Sequence, residues 1–486
     1  MDIVVSHRVA RPKPDGAIVG GLAAALLPAV QNAGVVWFGA SGKLRKLASA
    51  VTPLVQIESY GRGTVAVVDL PEQHYAGFYE GFANSALWPL LHSRADLSRQ
   101  APDDYACYCA VNAYVARTLA TFGGAESTYW VHDYHFLPLG RELRRLGVTG
   151  KIGFFLHTPW PARRPMTQLP QGRELAEAML AYDLIGFQTD DDRDNFAEFL
   201  RHALGLTAAG TAFKSPRGTC RLATFPIGID AQAFANTAQA ACTDIEVQRL
   251  RASLGGCALV IGVDRIDYSK GIAQRIHALD RLIARHPALK RHLAMLQIAV
   301  PSRSAIDIYR ALQRELTSLV GAINGRHGEI DWMPVRYINK CYDRSVLAGF
   351  YRAAAVGLVT PLRDGMNLVA KEYIAAQNPE DPGVLVLSKY AGAARELDAA
   401  LAVDPYDVED IARQIAAALS MPRAERRERW QGMMDRLLQH SIHAWFDDFM
   451  QELKLPRRNV LPLAPARLAS AMRAGGGGGQ AVATHP

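Results

Sequence analysis

Residues 360–373 read TPLRDGMNLVAKEY. The four apolar residues before them, Val356-Gly357-Leu358-Val359, have the length and composition of a buried strand. The residues from Leu368 onward read as a helix. Between the two stand a charged pair, Arg363-Asp364, and then Gly365, where strand hands over to helix. That order marks a parallel α/β unit, in which strand ends and helix starts meet along one edge of a sheet.

The same alternation runs outward in both directions. DIVVS (2–6), VVWFG (35–39), YWVHD (129–133), IGFFLH (152–157) and LIGFQT (184–189) read as buried parallel strands with helical stretches between several of them. The pattern restarts after residue 230 with ALVIGV (258–263), LAMLQIAV (293–300), VGLVT (356–360) and GVLVLS (383–388). PIGID (226–230) is the expected hinge. Two such halves, facing each other, leave a cleft. From about residue 456 the chain turns to Pro, Ala, Arg and then AGGGGGQ, which predicts a disordered tail over 456–486.

A length of 486 residues suits two domains of about 200 residues each. With 49% hydrophobic and 21% charged residues the chain is globular. No apolar run reaches the roughly 20 residues of a membrane span, and the longest, GGLAAALLPAV, reads as a buried helix. MDIVVSHRV does not read as a signal peptide, and six scattered cysteines match no disulfide framework or zinc spacing. A cytoplasmic protein with reduced thiols is expected. The net charge of +7 fits either a solvated basic surface or a pocket for phosphorylated substrates. No basic run with interleaved aromatics points to nucleic acid.

Ligands of parallel sheets gather at the carboxyl ends of strands, against helix N-termini. At the opening stretch, the N–H groups of Met366, Asn367 and Leu368 would face the cleft, and Gly365 would let the backbone come close to a ligand. Asp364 would accept hydrogen bonds from sugar hydroxyls. Glu372, one turn beyond Leu368, lies on the same helix face and suits a second hydroxyl pair such as a ribose. The bland reading is a capped helix. In VDRIDYSKGIAQR (263–275), Arg265 and Lys270 fall before a helix expected near Gly271, which suits a diphosphate site, with solvated surface charge as the bland reading. Arg303, in QIAVPSR, again follows a strand. In SHRVARPKPDGAIVGGLA (6–23), Arg8 follows a strand and Gly20-Gly21 open a helix, as a phosphate-closing loop would. HDYH (132–135) and His157 also sit at strand ends, as polar pocket residues or satisfied core histidines; their spacing matches no metal site. Gly61-Arg62-Gly63-Thr64-Val65-Ala66 fits the loose dinucleotide fingerprint, but it runs into the strand-like VAVVDL and is rejected.

Taken in order, ALWP (86–89), HDYH, GFFLH, DRIDYSKG and TPLRDGMNLVAKEY resemble the trehalose-6-phosphate synthase family over roughly residues 2–455. The resemblance implies an α/β chain of GT-B fold: two Rossmann-like domains, parallel sheets and an interdomain cleft. Residues 1–230 would form the acceptor-binding domain and 231–455 the nucleotide-sugar-binding domain, with the last helices in position to pack back on the first. It implies retaining transfer of glucose from UDP-glucose to glucose 6-phosphate, with no cofactor or required metal and no nucleic-acid or membrane partner. A homo-oligomer is left open. Carried over by residue, the acceptor phosphate would meet Arg8, Tyr79 and Arg303, with Trp88 and Asp133 on the same acceptor. The donor diphosphate would meet Arg265 and Lys270. The donor glucose would meet Asp364 and the backbone of Met366 and Asn367, with Leu368 and Val369 nearby. Glu372 would hold the ribose, Tyr342 would lie near the nucleotide, Gly20 and Gly21 would close over the donor, and His157 would lie near the forming bond. His157, Arg265, Lys270 and Asp364 are the expected catalytic set.

Three departures fall on the acceptor side. The family commonly reads SNR where Ser6-His7-Arg8 stands here, and WFGWSG where this chain has Ala40 for the second tryptophan. The usual IPFP is Thr158-Pro159-Trp160-Pro161, followed by Arg163-Arg164. Another acceptor such as glycerol 3-phosphate, another nucleotide-glucose donor, or a non-catalytic sugar-phosphate-binding regulator therefore stay open as alternatives.

Overall fold

The computed structural model describes residues 1–9, 26–27, 30–46, 54–215 and 218–456. Gly20, Gly21 and the tail from residue 457 lie outside the described residues. Of the apolar run at 20–30, Leu26, Leu27 and Val30 are helical and buried.

Ten strands form the first sheet: β1 (Asp2–Arg8), β2 (Val36–Arg45), β3 (Val55–Tyr60), β4 (Gly63–Pro71), β5 (Thr128–His132), β6 (Ile152–Phe155), β7 (Leu184–Phe187), β8 (Ala208–Ala209), β9 (Ala212–Ser215) and β10 (Gly218–Thr224). Their order is β3-β4-β2-β1-β5-β6-β7-β10-β9-β8. The central strands pair in parallel, but β3 with β4 and β8, β9 and β10 with one another are antiparallel. All-parallel pairing, expected from the strand–helix alternation, fails at both edges. There the chain reverses through loops of a few residues, too short for the helical crossover that parallel strands need. The rejected glycine fingerprint makes one of these reversals, with Tyr60 paired to Gly63 across the turn.

The second sheet, order β13-β12-β11-β14-β15-β16, is wholly parallel. It comprises β11 (Ala258–Arg265), β12 (Leu293–Val300), β13 (Val335–Ile338), β14 (Val356–Val359), β15 (Val384–Ser388) and β16 (Leu401–Val403). Side chains alternate faces along each strand. Leu259, Ile261 and Val263 enter one core while Val260 enters another, and Val4 departs in the same way from Ile3 and Val5. The first of these cores is continuous across both sheets. It joins Val4, Trp130 and Phe155 to Leu259, Ile374 and Leu387 through Ile227, Ile229 and the last helix, Ile442–Lys454. That helix lies on the first sheet: Phe449 stacks on Trp130 at 4.2 Å, Glu452 pairs with Arg221, and Lys454 reaches Asp2 at 2.7 Å. The chain thus crosses between the halves twice, near residue 228 and near residue 440. The two crossings touch, since a Cβ on Gly228 would lie 2.0 Å from the His440 carbonyl oxygen.

Candidate active site

The carboxyl ends of β11 and β14 carry residues expected on the donor side. Arg265 ends β11, and Lys270 ends a short 3-10 turn. Gly271, at φ 64°, then starts the helix Ile272–Arg285. Lys270 Nζ donates to Asp364 Oδ2 at 2.5 Å, and Asn367 Nδ2 donates to the same oxygen at 3.0 Å. The helix carrying Glu372 begins at Leu368, three residues beyond Gly365, with Asn367 at φ 76° before it. A Cβ on Gly365 would lie 2.0 Å from the His157 carbonyl oxygen. The close approach that requires this glycine is therefore to the backbone of the first half.

Arg275 fastens the two loops. It is fully buried and donates to Asp264 Oδ2 (2.6 Å), the Lys270 carbonyl (2.7 Å) and Thr360 Oγ1 (2.9 Å). Further along, Glu372 accepts from Arg344 at 3.1 Å; burial pushes its carboxyl up while Arg344 draws it down. Tyr342 stands edge-on to Phe350 at 5.1 Å, under the Lys340 ammonium. Leu368 and Val369 pack on the core, and the Met366 side chain is buried in it, leaving only its backbone for a ligand.

The residues expected on the acceptor side come from the first half and from the loop after β12. The Arg303 guanidinium lies 3.9 Å from the centre of the Trp88 ring, and Arg265 lies 5.7 Å from the same ring. Asp267, fully buried, accepts from Arg303 at 2.8 Å and from Trp88 Nε1 at 3.4 Å. Tyr79 sits in a π-helical run, Ala76–Leu87, that ends at Trp88. It belongs to a stack of rings, with Tyr75 at 5.4 Å and His7 at 4.9 Å, and His7 stacks in turn on His135 at 4.4 Å. Arg8 donates to Tyr75 at 3.3 Å. Burial holds His7 neutral, its pKa lowered to about 3. Asp133 accepts from the His157 N–H at 3.4 Å; burial raises its pKa to about 6 against the pull of Arg303 and Arg265. His157 is also held neutral by burial, at about 3. Its Nε2 lies 3.0 Å from His132 Nδ1.

Five non-glycine residues have positive φ among the described residues, and three are Asp133 (75°), Arg303 (51°) and Asn367 (76°). Strain of this kind persists where surrounding structure over-determines it, commonly at ligand clamps. Among the described residues no group of three His, Cys, Asp or Glu is placed to hold a metal ion, and no helix is long and apolar enough to cross a membrane. Sequence reading missed Asp267, Arg275 and Tyr75. Only Arg275 carried a signal, as a charged residue on the apolar stripe of Ile272, Ile276 and Leu279.

Two mainly parallel sheet halves with cations and carboxylates gathered at their strand ends are the arrangement of a GT-B fold. The chain belongs to glycosyltransferase family 20, whose model matches residues 16–455. It is 46% identical over 461 residues to the trehalose-6-phosphate synthase of Sinorhizobium fredii, covering 93% of this chain and 97% of that one. The structure of an α,α-trehalose-phosphate synthase (UDP-forming) from Burkholderia xenovorans in complex with glucose-6-phosphate is 42% identical, with TM-score 0.89, covering 94% of this chain and 100% of that one. A trehalose-6-phosphate structure from Escherichia coli bound with UDP-2-fluoro glucose is 38% identical, with TM-score 0.87, covering 94% and 99%.

Proposed function

We propose that this chain transfers glucose from UDP-glucose to glucose 6-phosphate with retention, forming α,α-trehalose 6-phosphate and UDP. The observation that carries this reading is the sharing of Trp88 by two arginines, Arg265 at 5.7 Å and Arg303 at 3.9 Å. Asp267 supplies one anion beneath the ring, against Arg303, and the remaining positive charge of the pair attracts further anions into the cleft. A phosphorylated acceptor beside Arg303 and a diphosphate donor beside Arg265 supply those anions from two sides of one cleft. The relatives crystallised with glucose-6-phosphate and with UDP-2-fluoro glucose support the same pair.

The chemistry follows from charge. As the glycosidic bond to the nucleotide breaks, negative charge grows on the departing diphosphate, where Arg265 and Lys270 stabilise it. Lys270 is drawn from Asp364 toward the phosphate, and Asp364 turns its acceptor capacity to glucose hydroxyls beside the N–H groups of Met366 and Asn367. Arg8, Tyr79 and Arg303 hold the acceptor phosphate, and Asp133 accepts from an acceptor hydroxyl. The attacking hydroxyl enters on the face the nucleotide leaves and passes its proton to a leaving phosphate oxygen. His157, neutral and hydrogen-bonded, orients the donor and is not required as a base. Glu372 accepts from the ribose.

UDP release from UDP-glucose, measured with glucose 6-phosphate, glycerol 3-phosphate and free glucose in parallel, tests the reading. Release with glucose 6-phosphate alone is expected. Release only with another acceptor would keep the donor half and reassign the acceptor half around His7 and Ala40. Binding of UDP-glucose with no release under any condition would make the chain a regulator.

A further inference from the structure

Gln188 follows the last residue of β7 and is buried, 2% exposed, beneath the cleft. Its Oε1 accepts from the Ile227 N–H at 3.0 Å. A backbone N–H can only donate, so this bond fixes which end of the amide faces Ile227 and turns Nε2 toward His157 Nδ1, 3.3 Å away. An amide nitrogen can likewise only donate. His157 Nδ1 must accept, the ring proton must sit on Nε2, and Nε2–H donates to His132 Nδ1 at 3.0 Å.

Ile227, whose N–H sets this order, is itself fixed on its other side. Its carbonyl accepts from Lys371 Nζ at 2.7 Å, and Lys371, fully buried, also pairs with Glu396 at 2.5 Å. Lys371 immediately precedes Glu372 on the donor helix, and Glu396 Oε1 reaches His440 at the second crossing at 3.1 Å. One residue of the first crossing, Ile227, is therefore held by the donor helix through its carbonyl and, through its N–H and Gln188, orients His157. Nothing in the chemistry proposed above uses Gln188 or Lys371.

We propose that Gln188 is a positioning residue for the transfer reaction: it sets the Nε2–H tautomer and ring orientation of His157, and the Lys371–Ile227 bond holds it in register with the donor helix. The proposal rests on the glucosyl-transfer reading for its effect on rate, but the tautomer does not. Fixing the tautomer prevents the ring from rotating its proton toward the substrates, so the donor meets one arrangement of dipoles.

The test is nitrogen-15 NMR of the histidine side chains, with His157 assigned by loss of its signals in His157→Asn, joined to steady-state kinetics. In the wild type Nδ1 is expected to be the unprotonated nitrogen. In Gln188→Glu the carboxylate accepts only, so the proton is expected to move to Nδ1. Turnover then falls about 10- to 100-fold, as expected for a misplaced group beside the reacting atoms, with UDP affinity unchanged. If the carboxylate variant does not fold, Gln188→Leu is expected to populate both tautomers with a lower rate and unchanged UDP affinity. Lys371→Met paired with Glu396→Gln, which removes both buried charges, is expected to lower turnover while UDP still binds. An unprotonated Nε2 in the wild type, or an inverted tautomer with undiminished turnover, would overturn the proposal. A wild type that releases no UDP with any acceptor overturns the functional reading and leaves the tautomer result standing.

Discussion

Lys270 Nζ and Asp364 Oδ2 lie 2.5 Å apart, each side chain about one-seventh exposed, at 13% and 14%. They come from the loops that follow the adjacent strands β11 and β14, where the donor diphosphate is proposed to bind. Arg275 holds the Lys270 carbonyl and Thr360 in place behind them, so the loops themselves position the pair.

Replacing Lys270 by methionine should do two separable things. Turnover should fall by about 10²- to 10³-fold, the usual loss when one stabilising group for developing charge is removed. Stability should fall by about 3 kcal/mol, because Asp364 is left largely buried without its cation. Adding Asp364→Asn should restore most of the stability and none of the rate. Thermal unfolding beside UDP-release kinetics separates the two effects; a double variant that regains activity would contradict the role given to Lys270.

Asp267 is expected to govern the acceptor alone. It holds Arg303 and Trp88 from beneath, with none of its side chain exposed. Its carboxyl is held below the usual range: burial opposes ionisation, and Arg303 and Arg265 prevail. Asp267→Asn keeps the shape but removes the charge opposite Arg303. The Michaelis constant for the phosphorylated acceptor should rise about tenfold or more, in line with the loss of a charge-assisted bond, while UDP affinity holds. Equal losses on both substrates would contradict this division.

Asp133 makes a pH prediction. Burial raises its folded pKa to about 6 from an ordinary 3.8. The folded protein therefore binds the proton more tightly than the unfolded chain. The stability this contributes is full below about pH 4 and is lost as pH rises through about 6. Asp133→Asn should gain stability relative to wild type between pH 4 and 7, by up to about 3 kcal/mol. Acceptor use by the wild type should fall below about pH 6, as the carboxylate is protonated. Denaturant unfolding at both pH values checks the first; acceptor kinetics across the range check the second.

Gly365→Ala should open the cleft. The added carbon would lie 2.0 Å from the His157 carbonyl oxygen, a backbone atom that cannot turn away. A cost of about 1–3 kcal/mol is expected, as for other overpacked sites, with turnover reduced and UDP still bound. Wild-type turnover in this variant would show that the contact can be relaxed.

The strands were legible because each is a short apolar run with its own local pattern, and LAMLQIAV at 293–300 coincides with β12 residue for residue. The strand-end residues were legible for the same reason: Arg265, Lys270 and Asp364 are marked by their distance from the end of such a run. What local pattern cannot show is pairing across the chain. Trp88 meets Asp267 over 179 residues, and Lys371 meets Ile227 over 144. A glycine at a helix start invites a ligand, and Gly365 carries that signal. Its actual neighbour, His157, became visible only when the two halves were brought face to face. The antiparallel edges escaped for a related reason, since β3 and β8 are too short or too exposed to show a buried-strand pattern.

The most direct test is the structure of the product. Proton NMR of the material formed from UDP-glucose and glucose 6-phosphate should show two α-anomeric signals of a non-reducing disaccharide phosphate, with one UDP released per disaccharide. A β-anomeric signal, a reducing product, or UDP and free glucose without a disaccharide would contradict retaining transfer in this cleft.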